Sequence, residues 1–145
     1  MQVGVDASMM VDNKRVFVVE RDEITRAVLQ FILHDENETH ELASLEDAYA
    51  KAAEWRPDLV VLGLDFVREL GTELIAEAAE RLKVARILVI AESAADALAL
   101  ACVKAGAFGA LIKPLTVESV RDKVDVALGR KTGAFVPLQA LTAPG

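Results

Sequence analysis

Five short apolar segments alternate with helical patterns along this chain, and this alternation restricts its fold more than any other feature. The segments, rich in Val, Ile and Leu, cover residues 15–19, 41–43, 59–64, 86–91 and 110–112. The third and fourth are apolar at almost every position, which is typical of strands buried on both faces of a parallel sheet. The second is the weakest, because the polar residues 35–39 before it are predicted to form a loop.

Helical spacing of apolar residues fills the stretches between these segments. In residues 23–34, with Asp22 or Glu23 at the start, the predicted inward face is Ile24, Ala27, Val28, Phe31 and Ile32. Further helices are predicted over residues 46–55, from Thr72 onward, over 94–105 behind a capping box of Ser93 and Asp96, and after Thr116. Five strand–helix units with short connections require right-handed crossovers, so the predicted fold is α/β, with helices on both faces of a parallel sheet.

The length of 145 residues fits one domain. We divide the chain into a flexible leader (1–13), a folded domain (14–130) and a flexible tail (131–145), whose apolar residues 135–141 form either a partner-docking segment or a linker. The net charge of −7 argues against a nucleic-acid partner.

Apolar runs in the sequence are shorter than the roughly 18 residues that a membrane-spanning helix needs. The single cysteine, Cys102, is predicted to be a buried hydrophobe. We therefore expect a cytoplasmic protein with no membrane partner.

Several motifs together resemble the receiver domain of two-component response regulators. They are Val18-Val19-Glu20, Pro57-Asp58-Leu59-Val60-Val61-Leu62, Gly71, Ala105-Gly106-Ala107 and Lys113-Pro114-Leu115. The resemblance covers residues 14–130. It implies a single doubly wound (βα)5 domain of the flavodoxin or receiver type, with strand order 2-1-3-4-5. In such a fold the functional surface lies at the carboxyl ends of the strands.

The resemblance also implies a phosphorylation site. Receivers hold Mg²⁺ with an acidic pair after the first strand and accept phosphate on an aspartate that ends the third strand. A Ser or Thr ending the fourth strand and a lysine after the fifth contact the phosphate, and an aromatic ring in the fifth strand moves. The corresponding residues of this chain are Glu20 and Arg21 (followed by Asp22), Gly63, Ala91, Lys113 and Ala110.

Three parts of that site are replaced by residues without the required chemistry. Gly63 has no nucleophile, so no acyl phosphate can form on it. Ala91 has no hydroxyl group and Ala110 has no ring. Mg²⁺ prefers several oxygen ligands, and Glu20 with Asp22, beside the cationic Arg21, is a poor set. We expect a degenerate receiver that signals by protein contact, is not an enzyme, needs no cofactor and binds Mg²⁺ weakly or not at all.

Other functions remain open for the same surface. Asp65 is an alternative phosphate acceptor, although we expect it to lie in a loop that carries it away from Lys113. Ser93 is an alternative to the missing hydroxyl. The side chains absent at Gly63, Ala91 and Ala110 would leave a pocket for a small-ligand sensor.

Two interpretations of the retained charges stay open. Either Lys113 pairs with Glu20, and Arg21 with Glu20 or Asp22, as a permanent substitute for the metal-centred network, or these residues are surface charges without a role. His34 and His40 flank acidic residues, but their spacing matches no familiar metal-ligand pattern.

A partner surface is predicted on the fourth and fifth predicted helices. Residues 94–105 carry only two charged side chains, Asp96 and Lys104. With Leu100 and Val103 directed to the sheet, the outer stripe is Ala97, Leu98 and Ala101. On the last helix Arg121, Asp122 and Asp125 are predicted to face outward with both signs of charge, which suits symmetric pairing. We predict a signalling protein partner, and a homodimer through the fourth helix, the fifth strand and the fifth helix.

Overall fold

The structure is a computed structural model that describes residues 13–131. The predicted leader and tail, apart from Asn13 and Lys131, lie outside the described residues. The elements follow in the order β1 (Lys14–Val19), α1 (Glu23–Leu33), β2 (Asn37–Leu42), α2 (Leu45–Ala52), β3 (Leu59–Gly63), α3 (Leu64–Leu70), α4 (Glu73–Leu82), β4 (Ile87–Ala91), α5 (Ala97–Lys104), β5 (Gly109–Ile112) and α6 (Val117–Ala127). The strands form one parallel sheet of order β2-β1-β3-β4-β5, which confirms the predicted fold class and strand order.

Two apolar cores cover the two faces of the sheet. Neighbouring residues of a strand point to opposite faces, so Phe17 of β1 packs toward α2, α3, α4 and α5, whereas Val16 packs toward α1 and α6. Every residue of β3 and β4 is buried. The prediction of central strands buried on both faces is therefore confirmed for these two elements.

Helix α1 turns a different face to the sheet from the one predicted. Its buried residues are Thr25, Leu29, Ile32 and Leu33, of which Ile32 alone belongs to the predicted face. Ile24 and Phe31 are 75% and 70% exposed, and Val28 and Ala27 are exposed too. The helix has two overlapping apolar stripes of similar spacing, and the sequence pattern alone does not rank them. Packing against β1 and α6 selects the stripe that contains Leu29, which leaves the other in solvent.

The second strand begins earlier than predicted, at Asn37. Two of its polar residues pair at the sheet edge: Arg15 Nε donates to Glu38 Oε2 (2.5 Å), and Glu38 also pairs with His40 (2.7 Å). The arginine holds the pKa of the Glu38 carboxyl down at about 2. A half-exposed edge strand needs no continuous apolar run, which is why the apolar pattern indicated only its last residues.

Helices α3 and α5 also differ from the predictions. The loop expected from Asp65 onward is instead helix α3, which also takes in Leu64, the last residue of the predicted third strand. Helix α5 begins at Ala97 because Asp96, not Ser93, accepts hydrogen bonds from the free N–H groups of Leu98 and Ala99. The residues of α5 that are fully buried are Ala99 and Cys102, whereas Leu100 and Val103, predicted to face inward, are only partly buried. Within residues 13–131, none of the helices is long and apolar enough to span a bilayer.

Candidate functional site

The carboxyl ends of β1, β3, β4 and β5 bring most of the candidate residues to one edge of the sheet. Glu20 follows β1, Gly63 ends β3, Ala91 ends β4 and Lys113 follows β5. These four strands lie side by side in the order β1-β3-β4-β5. The predicted location of the site is therefore correct, and its chemistry depends on where the side chains point.

The Glu20 carboxylate is buried at this edge, with only 7% of the residue exposed. Its Oε2 atom accepts a hydrogen bond from the Asp22 backbone N–H at 2.8 Å. Burial raises the pKa of the Glu20 carboxyl above its usual value, against the opposite effect of this hydrogen bond. A carboxylate held inward in this way has exchanged water for a single fixed donor.

Glu20 fills the space beside Gly63. A Cβ atom built on Gly63 would lie 2.5 Å from Glu20 Oε1, 2.8 Å from Cδ and 2.9 Å from Oε2. The Gly63 backbone has φ −69° and ψ 143°, a conformation that any residue adopts. The glycine at this position is therefore explained by the space that Glu20 occupies and not by a backbone conformation that only glycine adopts. The glutamate carboxylate lies where a side chain on β3 would begin.

Arg21 points away from this edge, toward α3. Its guanidinium donates to Glu69 Oε1 at 2.7 Å and lies over the Phe66 ring at 4.5 Å from the centroid. The predicted pairing of Arg21 with Glu20 or Asp22 is wrong. Sequence reasoning missed these partners because it did not predict helix α3, which brings Glu69 and Phe66 close to Arg21.

Asp22 caps helix α1, one of the two alternatives predicted. Its Oδ2 atom accepts hydrogen bonds from the Thr25 backbone N–H at 2.8 Å and from the Thr25 hydroxyl at 2.6 Å. These two bonds lower the pKa of the Asp22 carboxyl. The carboxylate is thus committed to the helix end.

Lys113 pairs with Glu92 instead of with Glu20. Its Nζ atom lies 3.0 Å from Glu92 Oε2, so the predicted Lys113–Glu20 pair is wrong. Lys113, Glu92 and Glu20 all line a small cavity of about 80 Å³, together with Asp22 and Asp65. Ala91 and Ala110 are 0% and 2% exposed and do not line it. The pocket predicted from the small residues is therefore not formed, since Glu20 and the apolar packing fill that space.

A comparison with protein families matches residues 16–125 to the response regulator receiver domain. The chain belongs to this family. Among curated relatives, it is 30% identical over 120 residues to the DNA-binding transcriptional activator DevR/DosR of Mycobacterium tuberculosis, covering 80% of this chain and 55% of that protein. The chain thus spans about half the length of this relative.

Solved structures show the same receiver fold. A response regulator from Thermotoga maritima superposes with a TM-score of 0.71 at 22% identity, over 81% of this chain and 98% of that one. The chemotaxis response regulator CheY4 of Vibrio cholerae gives 0.69 at 22% identity, over 80% and 99% of the two chains. At these identities the structures support the fold, and a receiver domain places this chain in two-component signalling.

Asp65 of this receiver lies closer to the site than predicted. It stands in the first turn of α3, not in a loop, and it lines the same cavity as Lys113. Its carboxylate pairs with Arg68 at 2.5 Å. The expectation that the backbone carries Asp65 away from the cavity is wrong, because α3 starts directly after β3.

Three other candidate side chains have local partners. The Ser93 hydroxyl accepts a hydrogen bond from the Ala95 backbone N–H at 3.2 Å. His34 pairs with Asp35, and His40 with Glu38. Cys102 is buried, as predicted, and burial raises the pKa of its thiol to about 11. Among residues 13–131, no group of three or more His, Cys, Asp or Glu side chains is arranged to hold a metal ion.

The charges predicted to form a symmetric interface are paired within the receiver. Arg121 donates to the Ile32 carbonyl oxygen and pairs with Asp35 on the α1 side. Asp122 pairs with Lys131, and Asp125 pairs with Arg130 at 3.3 Å. On α5, Ala97 is exposed, whereas Leu98 and Ala101 are half-buried and Leu98 packs against the core. Because the extra helix α3 shifts the numbering, the predicted fourth and fifth helices are α5 and α6.

Proposed function

We propose that this receiver domain signals without accepting phosphate at the end of β3. The observation that carries the proposal is the position of the Glu20 carboxylate, which fills the space where a side chain on Gly63 would begin. Glycine offers no oxygen to attack phosphorus. The neighbouring Ala91 offers no hydroxyl to bind a transferred phosphoryl group. The domain is therefore a pseudo-receiver with one fixed arrangement of its rim, and it is not an enzyme.

The residues at the rim do not fit a magnesium ion. Asp22 uses its Oδ2 atom to cap α1, and Arg21 stands where receivers carry the second acid. Glu20 Oε2 is bound to the Asp22 N–H and Asp65 pairs with Arg68, so the carboxylates of this cavity fall short of the several free oxygens that Mg²⁺ requires. We propose that the domain works without a metal or another cofactor.

The proposed output is contact with a partner protein in the cytoplasm. The exposed stripe of α1, with Ile24 75% and Phe31 70% exposed, supports a protein partner. The acidic net charge of −7 does not favour a nucleic-acid partner. The DNA-binding activity in the name of the mycobacterial relative belongs to a protein of which this chain spans 55%, and we do not assign it here.

We also propose a homodimer through α5, β5 and α6. The half-buried Leu98 and exposed Ala97 support the α5 part of this surface, whereas the internal pairing of Arg121, Asp122 and Asp125 leaves little charge for the α6 part. Leu98→Glu is expected to lower the mass measured by sedimentation equilibrium. The control is Ala50→Glu, at an exposed position of α2, which should leave the mass unchanged. An unchanged mass, from a wild type that is dimeric, would remove this face from consideration.

Phosphorylation is tested directly with small donors. We expect that incubation with acetyl phosphate and Mg²⁺ leaves the intact mass unchanged, and that beryllofluoride with Mg²⁺ does not shift amide resonances at the rim. A hydroxylamine-sensitive phosphoryl adduct would contradict the proposal.

Phosphate acceptance by Asp65 is the second candidate function. It is favoured by one observation, the presence of Asp65 and Lys113 in the lining of one cavity. If acetyl phosphate produces an adduct, Asp65→Asn should abolish it, whereas Asp47→Asn on exposed α2 should not. An adduct that survives Asp65→Asn would reject this candidate as well.

A further inference from the structure

A second cleft, larger than the Glu20–Lys113 cavity, lies between Arg21 and helices α2, α3 and α4. Its volume is about 310 Å³, within the size range of small-molecule sites. The buried side chains of Leu45, Phe66 and Leu74 contribute to its lining. Sequence reasoning missed this cleft because helix α3, which forms one of its walls, was predicted to be a loop.

Two arginines stacked on aromatic rings border the cleft. Arg21 lies over Phe66 at 4.5 Å and is bound to Glu69, and Arg81 lies over Tyr49 at 3.7 Å and is bound to Glu77 at 3.3 Å. Both ion pairs are about half exposed, so each contributes little and can exchange for a ligand group. A guanidinium has five N–H donors, and a bound carboxylate can use two of them side by side.

Tyr49 contributes to the lining of this cleft, and its hydroxyl oxygen is buried. Arg81 lies over the Tyr49 ring and interacts with the hydroxyl. A ligand carboxylate bound to Arg81 would therefore lie close to Tyr49, whose ring fixes the position of the guanidinium.

The charges around the cleft select the class of ligand. Arg21 and Arg81 provide two positive charges, and Glu46, Glu69 and Glu77 provide three negative ones. A purely anionic ligand would meet three carboxylates, and a purely cationic one would meet two guanidinium groups. A zwitterion satisfies both signs, and an apolar body covers the Leu45–Phe66–Leu74 surface.

We propose that this cleft binds a small zwitterion with an apolar body, of the α-amino-acid type. Its carboxylate would bind Arg81 or Arg21, its ammonium group would face Glu69, Glu77 or Glu46, and its side chain would cover Phe66 and Leu74. The proposal adds a ligand site to the domain and is independent of the proposed phosphorylation-free signalling, because none of the cleft residues is required to accept phosphate.

The test uses the full chain and three probes, L-leucine, L-phenylalanine and L-tryptophan, at millimolar concentrations. We expect calorimetric binding of at least one probe, with amide shifts in two-dimensional NMR centred on Leu45, Tyr49 and Phe66. N-acetyl and carboxamide derivatives of the same probe each lose one charge and should bind about tenfold more weakly. Arg81→Gln should weaken binding to a similar degree, and Tyr49→Phe should weaken it less.

Glu80→Gln is the matched control for Glu77→Gln, since both residues are exposed on α4 and Glu80 does not line the cleft. Of these two variants, Glu77→Gln is expected to weaken binding of the probe, and Glu80→Gln is expected to leave it unchanged. The proposal is overturned if all three probes leave the cleft amides unshifted. It is equally overturned if the charge-deleted derivatives bind as tightly as the parent, or if the shifts centre on α1 or on the Glu20–Lys113 cavity. Circular dichroism of each variant excludes unfolding as the cause of lost binding.

Discussion

The contact between Glu20 and position 63 leads to a prediction whose sign depends on the background. In the wild type, Gly63→Ala would place a methyl group 2.5–2.9 Å from three atoms of the Glu20 carboxyl group. The carboxylate is the mobile end of its side chain, so it would leave and lose its hydrogen bond from the Asp22 N–H. In a Glu20→Ala background the space is empty, and the same methyl group meets no obstacle from residue 20.

The magnitude follows from three contributions. Because Gly63 has φ −69° and ψ 143°, alanine fits the backbone and stabilises the fold by about 0.4–1 kcal/mol through the unfolded chain. Overpacking costs about 1–3 kcal/mol, and loss of a hydrogen bond to a charged group costs roughly 1.5–3 kcal/mol. Release of the buried carboxylate to water offsets part of these costs. We expect Gly63→Ala to destabilise the wild type by about 1–2 kcal/mol and to stabilise the Glu20→Ala variant by about 0.5 kcal/mol, a coupling of about 2 kcal/mol.

Urea unfolding of the four proteins, followed by circular dichroism at neutral pH, measures this coupling. The thermal midpoint should fall by about 3–8 °C in the single Gly63→Ala variant. The Asp22 N–H loses its Glu20 partner in three of the four proteins, so this hydrogen bond contributes to the coupling together with the steric overlap. Additive effects, within about 0.5 kcal/mol, would refute the inference that Glu20 occupies the side-chain space of position 63.

Three further predictions test the site and the fold. Gly63→Asp alone should not create a beryllofluoride-binding site, because it adds a second carboxylate against Glu20. The double variant Gly63→Asp with Glu20→Asp should give a larger beryllofluoride-induced shift of the rim amide resonances. Equal shifts in the single and the double variant would contradict this prediction. Glu20→Gln should stabilise the protein at neutral pH: burial raises the folded pKa of Glu20 above 4.5, so the wild type loses stability as pH rises through that pKa, and the advantage of the variant in urea unfolding should disappear below about pH 4.5. Leu29→Ala should lower the free energy of unfolding by about 2–5 kcal/mol and Phe31→Ala by less than about 1 kcal/mol, since Leu29 is buried and Phe31 is 70% exposed. Similar losses of stability in the two variants would instead support the buried face predicted from the sequence.

The strands could be predicted where they are buried on both faces. Leu59, Val60, Val61 and Leu62 have no solvent-facing side, so the sequence carries an unbroken apolar run. The edge strand β2 carries no such run, because its polar residues bond to each other and to Arg15. Burial on both faces leaves a signal in the sequence, and pairing at a sheet edge does not.

The orientation of α1 could not be predicted from spacing. Phe31 and Leu29 belong to stripes of similar apolar content, and the choice between them depends on the crossing of α1 over the sheet and α6. Helix α3 was missed for a related reason: its buried residues Leu64, Phe66 and Val67 are few, and Gly71 directed the interpretation to a turn.

The positions of the rim residues could be predicted, whereas their partners could not. Strand order alone brings Glu20, Gly63 and Lys113 to one edge of the sheet. The partners of Lys113 and Arg21 are Glu92 and Glu69, which lie in segments that the sequence analysis treated as connections. Long charged side chains reach several neighbours, so their pairing depends on the backbone of those segments.

Two neighbouring residues at the end of β1, Glu20 and Arg21, connect the proposed phosphorylation-free rim with the proposed ligand cleft. An acid at position 21 would be repelled by Glu69 and could not lie over the Phe66 ring as Arg21 does. Arg21 thereby ties α3 to the end of β1 and borders the cleft, while Glu20 turns inward and occupies the space beside Gly63. Glu20 thus fills the space beside Gly63, whereas Arg21 forms part of the wall of the cleft. Because a Cβ atom on residue 63 would overlap the Glu20 carboxylate, the inward position of Glu20 depends on the glycine, and residues 20 and 63 form one coupled pair.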